Sequence, residues 1–280
     1  MKRILVPTDF SEEADNALAA ACSLAEKSES EILLLHVIDD PHLNLIKVTG
    51  ETHGDPMEKV FVMKLIEKTK EKLGAIISDD KYKNISLSYK LEVGNPYTAI
   101  SEAIVTNDSS LVVMGTKGAT GLRELLVGSV ADKVVRYSKC PVITVKKCRD
   151  LSKVKNIVFA TDLKDDQASI IEDLKKLQEF YGAKLHIVKA YDSIWLKNEE
   201  VEQRINEFAA KVGLKDYTVT VVEESDEAYA ILKYAREVEA DMIAMGTHNR
   251  SGLLHLLVGQ ISKDVVNHAH RPIWTKTIED

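Results

Sequence analysis

Residues 111–129 read LVVMGTKGATGLRELLVGS, and residues 242–260 read MIAMGTHNRSGLLHLLVGQ, 131 positions later. Each opens on a short apolar run, passes through MGT into a turn, and closes on LLVG. Outward from this pair, ILVPTD at 4–9 is matched by IVFATD at 157–162. Cys140-Pro141-Val142-Ile143 is matched by Arg271-Pro272-Ile273-Trp274. The matches keep their order, so the chain is one unit written twice. The ILVPTD/IVFATD pair is spaced by 153 residues and the others by 131, which gives the first copy 22 more residues, between about 39 and 88.

Between these anchors, strand and helix signals alternate. Segments 3–7, 31–38, 111–115 and 142–146 are short apolar runs, and 85–93 alternates like a strand. Residues 11–28 place Ala14, Leu18, Ala21, Cys22 and Ala25 at helical spacing, and 57–78, 96–106 and 129–138 also read as helix. The second copy has strand signals near 156–160, 184–190, 217–223, 241–245 and 272–276. Near-continuous apolar strands separated by helices predict an α/β fold with a parallel sheet covered on both faces. The units are expected at 1–148 and 153–280, joined by a short charged linker around Lys147 to Lys155. The extra segment, Asp39 to about Met57, holds Pro41, Gly50, Gly54 and Pro56 and predicts a long loop over one edge. His42 and His53 within it read as exposed loop histidines rather than metal ligands.

Composition narrows the function classes. With 280 residues, 45% of them hydrophobic and 29% charged, the chain suits two modest cores. A net charge of −7 without a basic stripe argues against nucleic-acid binding by phosphate neutralisation. Cys22, Cys140 and Cys148 form no CxxC pair and no disulfide framework, which fits a reducing, cytoplasmic setting. The N-terminal apolar run is closed by Pro7 and Asp9, too soon for a signal peptide, and no run of eighteen apolar residues predicts a membrane span.

The turn at 115–129 carries glycines at Gly115, Gly118, Gly121 and Gly128, followed by Ser129. A strand end, a glycine-rich turn and a helix start together form an anion site. The helix start offers unpaired N–H groups and a positive partial charge, and glycine lets the backbone approach a phosphate. No GK[ST] and no G-x-G-x-x-G occur there, so neither a Walker loop nor a dinucleotide fingerprint is supported. The plainer alternative makes Ser129 and Asp132 an S-x-x-D capping box and Gly115 a tight turn. Asp9 lies just beyond the first strand. If that strand neighbours the fourth, Asp9 faces the loop across the crevice where ligands of doubly wound sheets bind. There it would accept from adenine or ribose, or hold Mg²⁺ through water. Alternatively Thr8, Asp9 or Ser11 caps the helix that starts near Glu12.

With these residues in view, the chain resembles the universal stress protein family. The ILVPTDFS start, the LLHVID second strand and MGTKG…LLVGSVADKVV…CPVITVK carry the likeness, and Gly115, Gly118, Gly128 and Ser129 match the family's ATP-binding loop. The likeness runs twice along nearly the whole chain. It implies Rossmann-like domains with strand order 3-2-1-4-5 and ATP held without a Walker motif, with AMP as the alternative nucleotide and Mg²⁺ alongside. It further implies adenine held by the backbone near Val37 and the Asp9 side chain, with Pro7 and Thr8 lining the adenosine pocket. Met114, Gly115 and Thr116 would start the phosphate cradle, and Gly118, Gly128, Ser129 and Val130 would complete it. Lys117 and Arg123 are candidate phosphate neighbours. The likeness also implies that the final edge strands of two domains pair, here within one chain as a pseudo-dimer, with two chains then free to associate.

The second copy departs from the pattern. Pro7 becomes Ala160, Gly94 becomes Ser225, Gly118 becomes Asn249 and Ser129 becomes Gln260, while Asp162, Gly246 and Gly259 remain. Asn249 brings a side chain where a phosphate oxygen would sit, so the second copy is expected to bind ATP weakly or not at all. His248, His255, His268 and His270 read as surface or C-terminal-helix histidines rather than a zinc site, since the side chains of His268 and His270, at i and i+2 on a helix end, diverge. The expectation is an ATP-binding regulatory protein of the stress response with little or slow hydrolysis and no catalytic residues. The alternatives are a nucleotide-free interaction module and a slow ATPase or nucleotidyl-transfer enzyme.

Overall fold

The computed structural model describes residues 2–39, 56–116, 118, 127–161, 168–191, 198–248 and 260–278. The first copy runs β1 (Arg3–Thr8), α1 (Glu12–Ser28), β2 (Glu31–Ile38), α2 (Pro56–Ile77), β3 (Leu87–Val93), α3 (Pro96–Thr106), β4 (Leu111–Gly115), α4 (Ser129–Tyr137) and β5 (Val142–Val145). The second repeats it as β6 (Asn156–Ala160), α5 (Ala168–Tyr181), β7 (Lys184–Tyr191), α6 (Asn198–Val212), β8 (Tyr217–Glu223), α7 (Glu227–Glu237), β9 (Met242–His248), α8 (Gln260–His268) and β10 (Ile273–Ile278). These elements follow the apolar periodicity closely.

Within each copy the strands are parallel in the order 3-2-1-4-5, as expected. The two orders join into one ten-stranded sheet, β3-β2-β1-β4-β5-β10-β9-β6-β7-β8. The junction is antiparallel, with Ile273 opposite Thr144, Trp274 opposite Ile143 and Thr275 opposite Val142. The two last strands therefore cover each other's open edges, as the resemblance implied.

The two faces are built differently. On one, Ile4, Val6, Ile32, Leu34, Val113 and Ile143 run without a break into Ile157, Phe159, Leu185 and Trp274. Trp274 is the largest fully buried side chain among the described residues and sits at the junction. On the other face the core divides, one cluster around Leu5, Leu35, Val112 and Met114, the other around Val158, Val188, Ile243 and Met245. Val127 packs against both.

Two expectations are modified. The linker is not merely a charged connector: Leu151 and Val154 are buried in the shared core, and the Leu151 N–H donates to Ser23 Oγ at 2.8 Å on α1. Part of the first copy's excess lengthens a helix, since α2 has 22 residues against 15 in α6. That helix starts at Pro56, a residue suited to a first turn, so the expected loop ends before Met57. The rest of that loop, with His42 and His53, lies outside the described residues. Among the described residues no helix is long and apolar enough to cross a membrane.

Candidate functional site

Strand order reverses between β1 and β4, and their carboxyl ends are splayed. β1 pairs with β2 along its whole length, but its recorded pairing with β4 stops at Leu5 opposite Val112. Pro7, which has no N–H for the ladder, stands beyond that point. The crevice that opens there is where doubly wound sheets place their ligands.

The turn leaving β1 is tightly specified. The Phe10 N–H donates to Thr8 Oγ1 at 3.1 Å, the Ser11 N–H to Asp9 Oδ1 at 3.1 Å, and the Ala14 N–H to Ser11 Oγ at 3.2 Å. Phe10 takes a left-handed φ of 62°, which turns the chain sharply into α1, and its ring lies 4.4 Å from that of His36. His36 Nδ1 is 2.8 Å from the Thr8 carbonyl, which can only accept, so Nδ1 carries the proton. Burial lowers the His36 pKa, against the Thr8 bond and the Asp9 charge, which raise it. Ser11 is thus the cap of α1, and the capping reading of Thr8 and Asp9 is set aside. Asp9 instead reaches the loop: a Cβ built on Gly118 would lie 2.6 Å from Asp9 Oδ2. The juxtaposition of Asp9 with the glycine loop is therefore realised.

The loop is fixed at both ends. Gly115 closes β4 under the first turn of α1, where an added Cβ would meet Glu13 Cβ at 2.9 Å and the Glu13 backbone at 3.0 Å. Its glycine is required by packing rather than by a tight turn. Thr116 is buried; its hydroxyl donates to Glu13 Oε2 at 3.0 Å and its carbonyl accepts from the Gly128 N–H at 2.7 Å. These bonds draw the two ends of the loop together.

The capping box does not form. Gly128 is the N-cap of α4, with φ −61°, ψ 149° and no side-chain cap, and Ser129 is the first helical residue, exposed. The Asp132 carboxylate accepts from Arg136 Nε at 3.1 Å, one turn on, instead of reaching back. Among the described residues no side chain caps the first turn of α4. Val37 and Val130 pack on the cluster that contains Met114, joined by Tyr97 and Val127.

Of the expected site residues, Pro7, Thr8, Asp9, Val37, Met114, Gly115, Thr116, Gly118, Gly128, Ser129 and Val130 thus lie along the β1–β2–β4 carboxyl ends or the start of α4. Lys117, Gly121 and Arg123 lie outside the described residues, as do Asp162, Asn249, His255 and Gly259 in the second copy. There, Gly246 repeats the packing constraint in altered form, since an added Cβ would meet the side-chain ends of Ile170 and Ile278. His268 Nδ1 bonds the Asp264 carbonyl at 2.9 Å, as a helix-end histidine does. Two contacts have no sequence signal: Glu13 with Thr116, and Asn267 Oδ1 accepting from the Val127 N–H at 2.8 Å.

Comparison with known proteins matches the universal stress protein family model to residues 1–146 and again to 153–275. A universal stress protein of Methanocaldococcus jannaschii is 32% identical over 154 residues, covering 52% of this chain and 95% of that protein. The universal stress protein YxiE of Bacillus subtilis is 29% identical over 148 residues, covering 51% and 98%. The crystal structure of a universal stress protein from Archaeoglobus fulgidus superposes over 99% of this chain and 97% of its own, with a TM-score of 0.73 at 22% identity, which shows the same fold. With both copies matched by the family model and the whole chain matched by a family structure, this chain belongs to the universal stress protein family as a tandem, two-domain member.

Proposed function

We propose that the first copy binds an adenine nucleotide, ATP, and that the protein acts in a stress response by holding it rather than by turning it over. The observation that carries this reading is the Asp9 carboxylate set against Gly118 at the mouth of the β1–β4 crevice. Gly118 puts no Cβ between its backbone and Asp9, and the loop closes on the start of α4, whose first-turn N–H groups suit a phosphate. Adenine would lie against the backbone near Val37 and the Asp9 carboxylate, with Pro7 and Thr8 along the adenosine. Met114, Gly118, Gly128, Ser129 and Val130 would face the phosphates. Gly115 and Thr116 would act through the backbone, since packing and hydrogen bonds already engage them. Mg²⁺ would accompany the phosphates and neutralise part of their charge. Glu13, the acidic side chain at the loop's base, accepts from Thr116, which favours retention over hydrolysis.

Its substitutions make the second copy the built-in partner rather than a second equal site. Family membership supports the stress-response role. Two chains are expected to associate further, which gel filtration with light scattering tests.

The central test is mass spectrometry of nucleotide co-purifying with the native protein, repeated on Gly118→Asn. Adenine nucleotide in the parent and none in the variant is the expected result; retention in the variant refutes the assignment. ATP at a hundredfold excess over its Kd should stabilise the protein by about 2.7 kcal/mol, and absence of a thermal shift would favour a nucleotide-free interaction module. A phosphate-release assay with Mg²⁺ separates holding from slow hydrolysis.

A further inference from the structure

The phosphate loop of the first copy ends where the two copies touch. Val127, one residue before the α4 cap, packs against the core of its own copy and that of the second. Its N–H donates to the Oδ1 of Asn267, on α8 of the second copy, at 2.8 Å. Asn267 is buried, so its side-chain amide requires partners within the protein. The residue is itself anchored from the first copy, because the Lys146 ammonium donates to its carbonyl. The Lys146 carbonyl in turn accepts from Asn16 on α1 at 3.3 Å. On the other side of Val127, the Gly128 N–H is bound to Thr116. The end of the loop is therefore held by two adjacent amides, one tied to its own copy and one to the other.

The counterpart of Asn267 in the first copy, 131 positions earlier, is Arg136. Its guanidinium is turned back onto Asp132, and its carbonyl accepts from Thr277 Oγ1 at 3.2 Å.

We infer that Asn267 is a positioning residue for the nucleotide site of the first copy. The second copy, through this one side-chain acceptor, sets where the phosphate-facing start of α4 stands. The inference rests on the nucleotide reading above and adds that the site is complete only with the second copy docked. A hydrogen bond to the cradle's own backbone fixes the phosphate end of the ligand. The adenosine end, lined by Pro7, Thr8 and Val37, is built within the first copy.

The test is calorimetric titration of the full chain with ATP plus Mg²⁺ and separately with adenosine. It compares the parent with Asn267→Leu, which removes the acceptor at similar size, and Asn267→Asp, which keeps it. The loss of one such bond should weaken ATP binding about three- to tenfold in Asn267→Leu, leave adenosine binding within twofold, and be largely recovered in Asn267→Asp. Equal losses for ATP and adenosine, or equal losses in both variants, overturn the inference as a general packing effect. An unchanged ATP titration in Asn267→Leu overturns it while the nucleotide reading stands; a parent that binds no adenine nucleotide overturns both. Hydrogen exchange on the unaltered protein gives a check independent of any variant's folding. The Val127 amide should be protected to the level of the β10 amides, and exchange at the rate of an open loop would overturn the bond itself.

Discussion

Gly115→Ala separates the two roles a glycine in this loop can have. The added methyl would sit 2.9 Å from Glu13 Cβ and 3.0 Å from Glu13 C and O. Contacts this close, two of them to the backbone of a helix's first turn, cannot be relieved by rotating a side chain. α1 must lift from β4, against the buried Ala14, Ala17 and Leu18 that seat it on the sheet. Overpacking of this kind costs about 1–3 kcal/mol. At about 2–4 °C per kcal/mol for a chain of this size, the melting temperature should fall by about 2–12 °C. Gly118→Ala is the control. Among the described residues its methyl meets Asp9 Oδ2 at 2.6 Å and Asp9 Cγ at 3.8 Å, the end of a side chain rather than backbone. It should lose less stability than Gly115→Ala, because a carboxylate end can shift where the backbone of a helix cannot, although the bond from the Ser11 N–H to Asp9 opposes that shift. Yet it should bind ATP more weakly, because Asp9 is displaced and the cradle is filled. The assay is a thermal melt followed by circular dichroism, with and without ATP. A Gly115→Ala protein that melts with the parent would refute the packing argument. A Gly118→Ala protein destabilised as much as Gly115→Ala would show that the two glycines do not divide the roles in this way.

Trp274→Ala empties the largest buried position at the junction of the copies and should cost about 3–5 kcal/mol. Because the core on that face is continuous, both copies should lose stability in one transition; a biphasic melt with one unchanged phase would contradict a shared core. Stability should also fall in mild acid through His36 and His186, both shifted downward by burial. A histidine whose folded pKa lies below its unfolded value near 6.5 contributes fully above about pH 6.5, and that contribution is lost as pH falls toward the folded pKa, because the unfolded chain takes the proton first. The slope is at most about 1.4 kcal/mol per pH unit for each. Urea unfolding between pH 7.5 and 5 should therefore show a smaller loss in His36→Gln than in the parent, and identical pH profiles would contradict this.

The sequence made the repeat and its elements legible because each rests on local periodicity, and the strand order came with the family likeness. The site was legible in part. Asp9 and the glycine spacing pointed to the crevice, since strand ends and glycines announce themselves locally. Four features did not. Gly115 read as a turn because the crowding comes from Glu13, about a hundred residues earlier in the chain. Ser129 read as a cap because S-x-x-D fits the pattern, yet the helix begins one residue sooner and Asp132 bonds Arg136. Leu151 and Val154 were hidden in a charged linker whose two apolar residues decide its place. Asn267 resembles any polar residue near a helix end, and only the meeting of the copies gives it a partner.

The antiparallel pairing of β5 with β10 has a consequence for mass action. Two separate chains paired through such strands would part on dilution and would receive every mutation on both sides at once. Here the partner is tethered a few residues away, so the pairing does not depend on how much protein is present. Each substitution also falls on one side only. One half can lose a serine or gain an asparagine while its neighbour keeps the original loop, so covalent linkage turns a symmetric contact into a fixed one-to-one assembly of unequal parts.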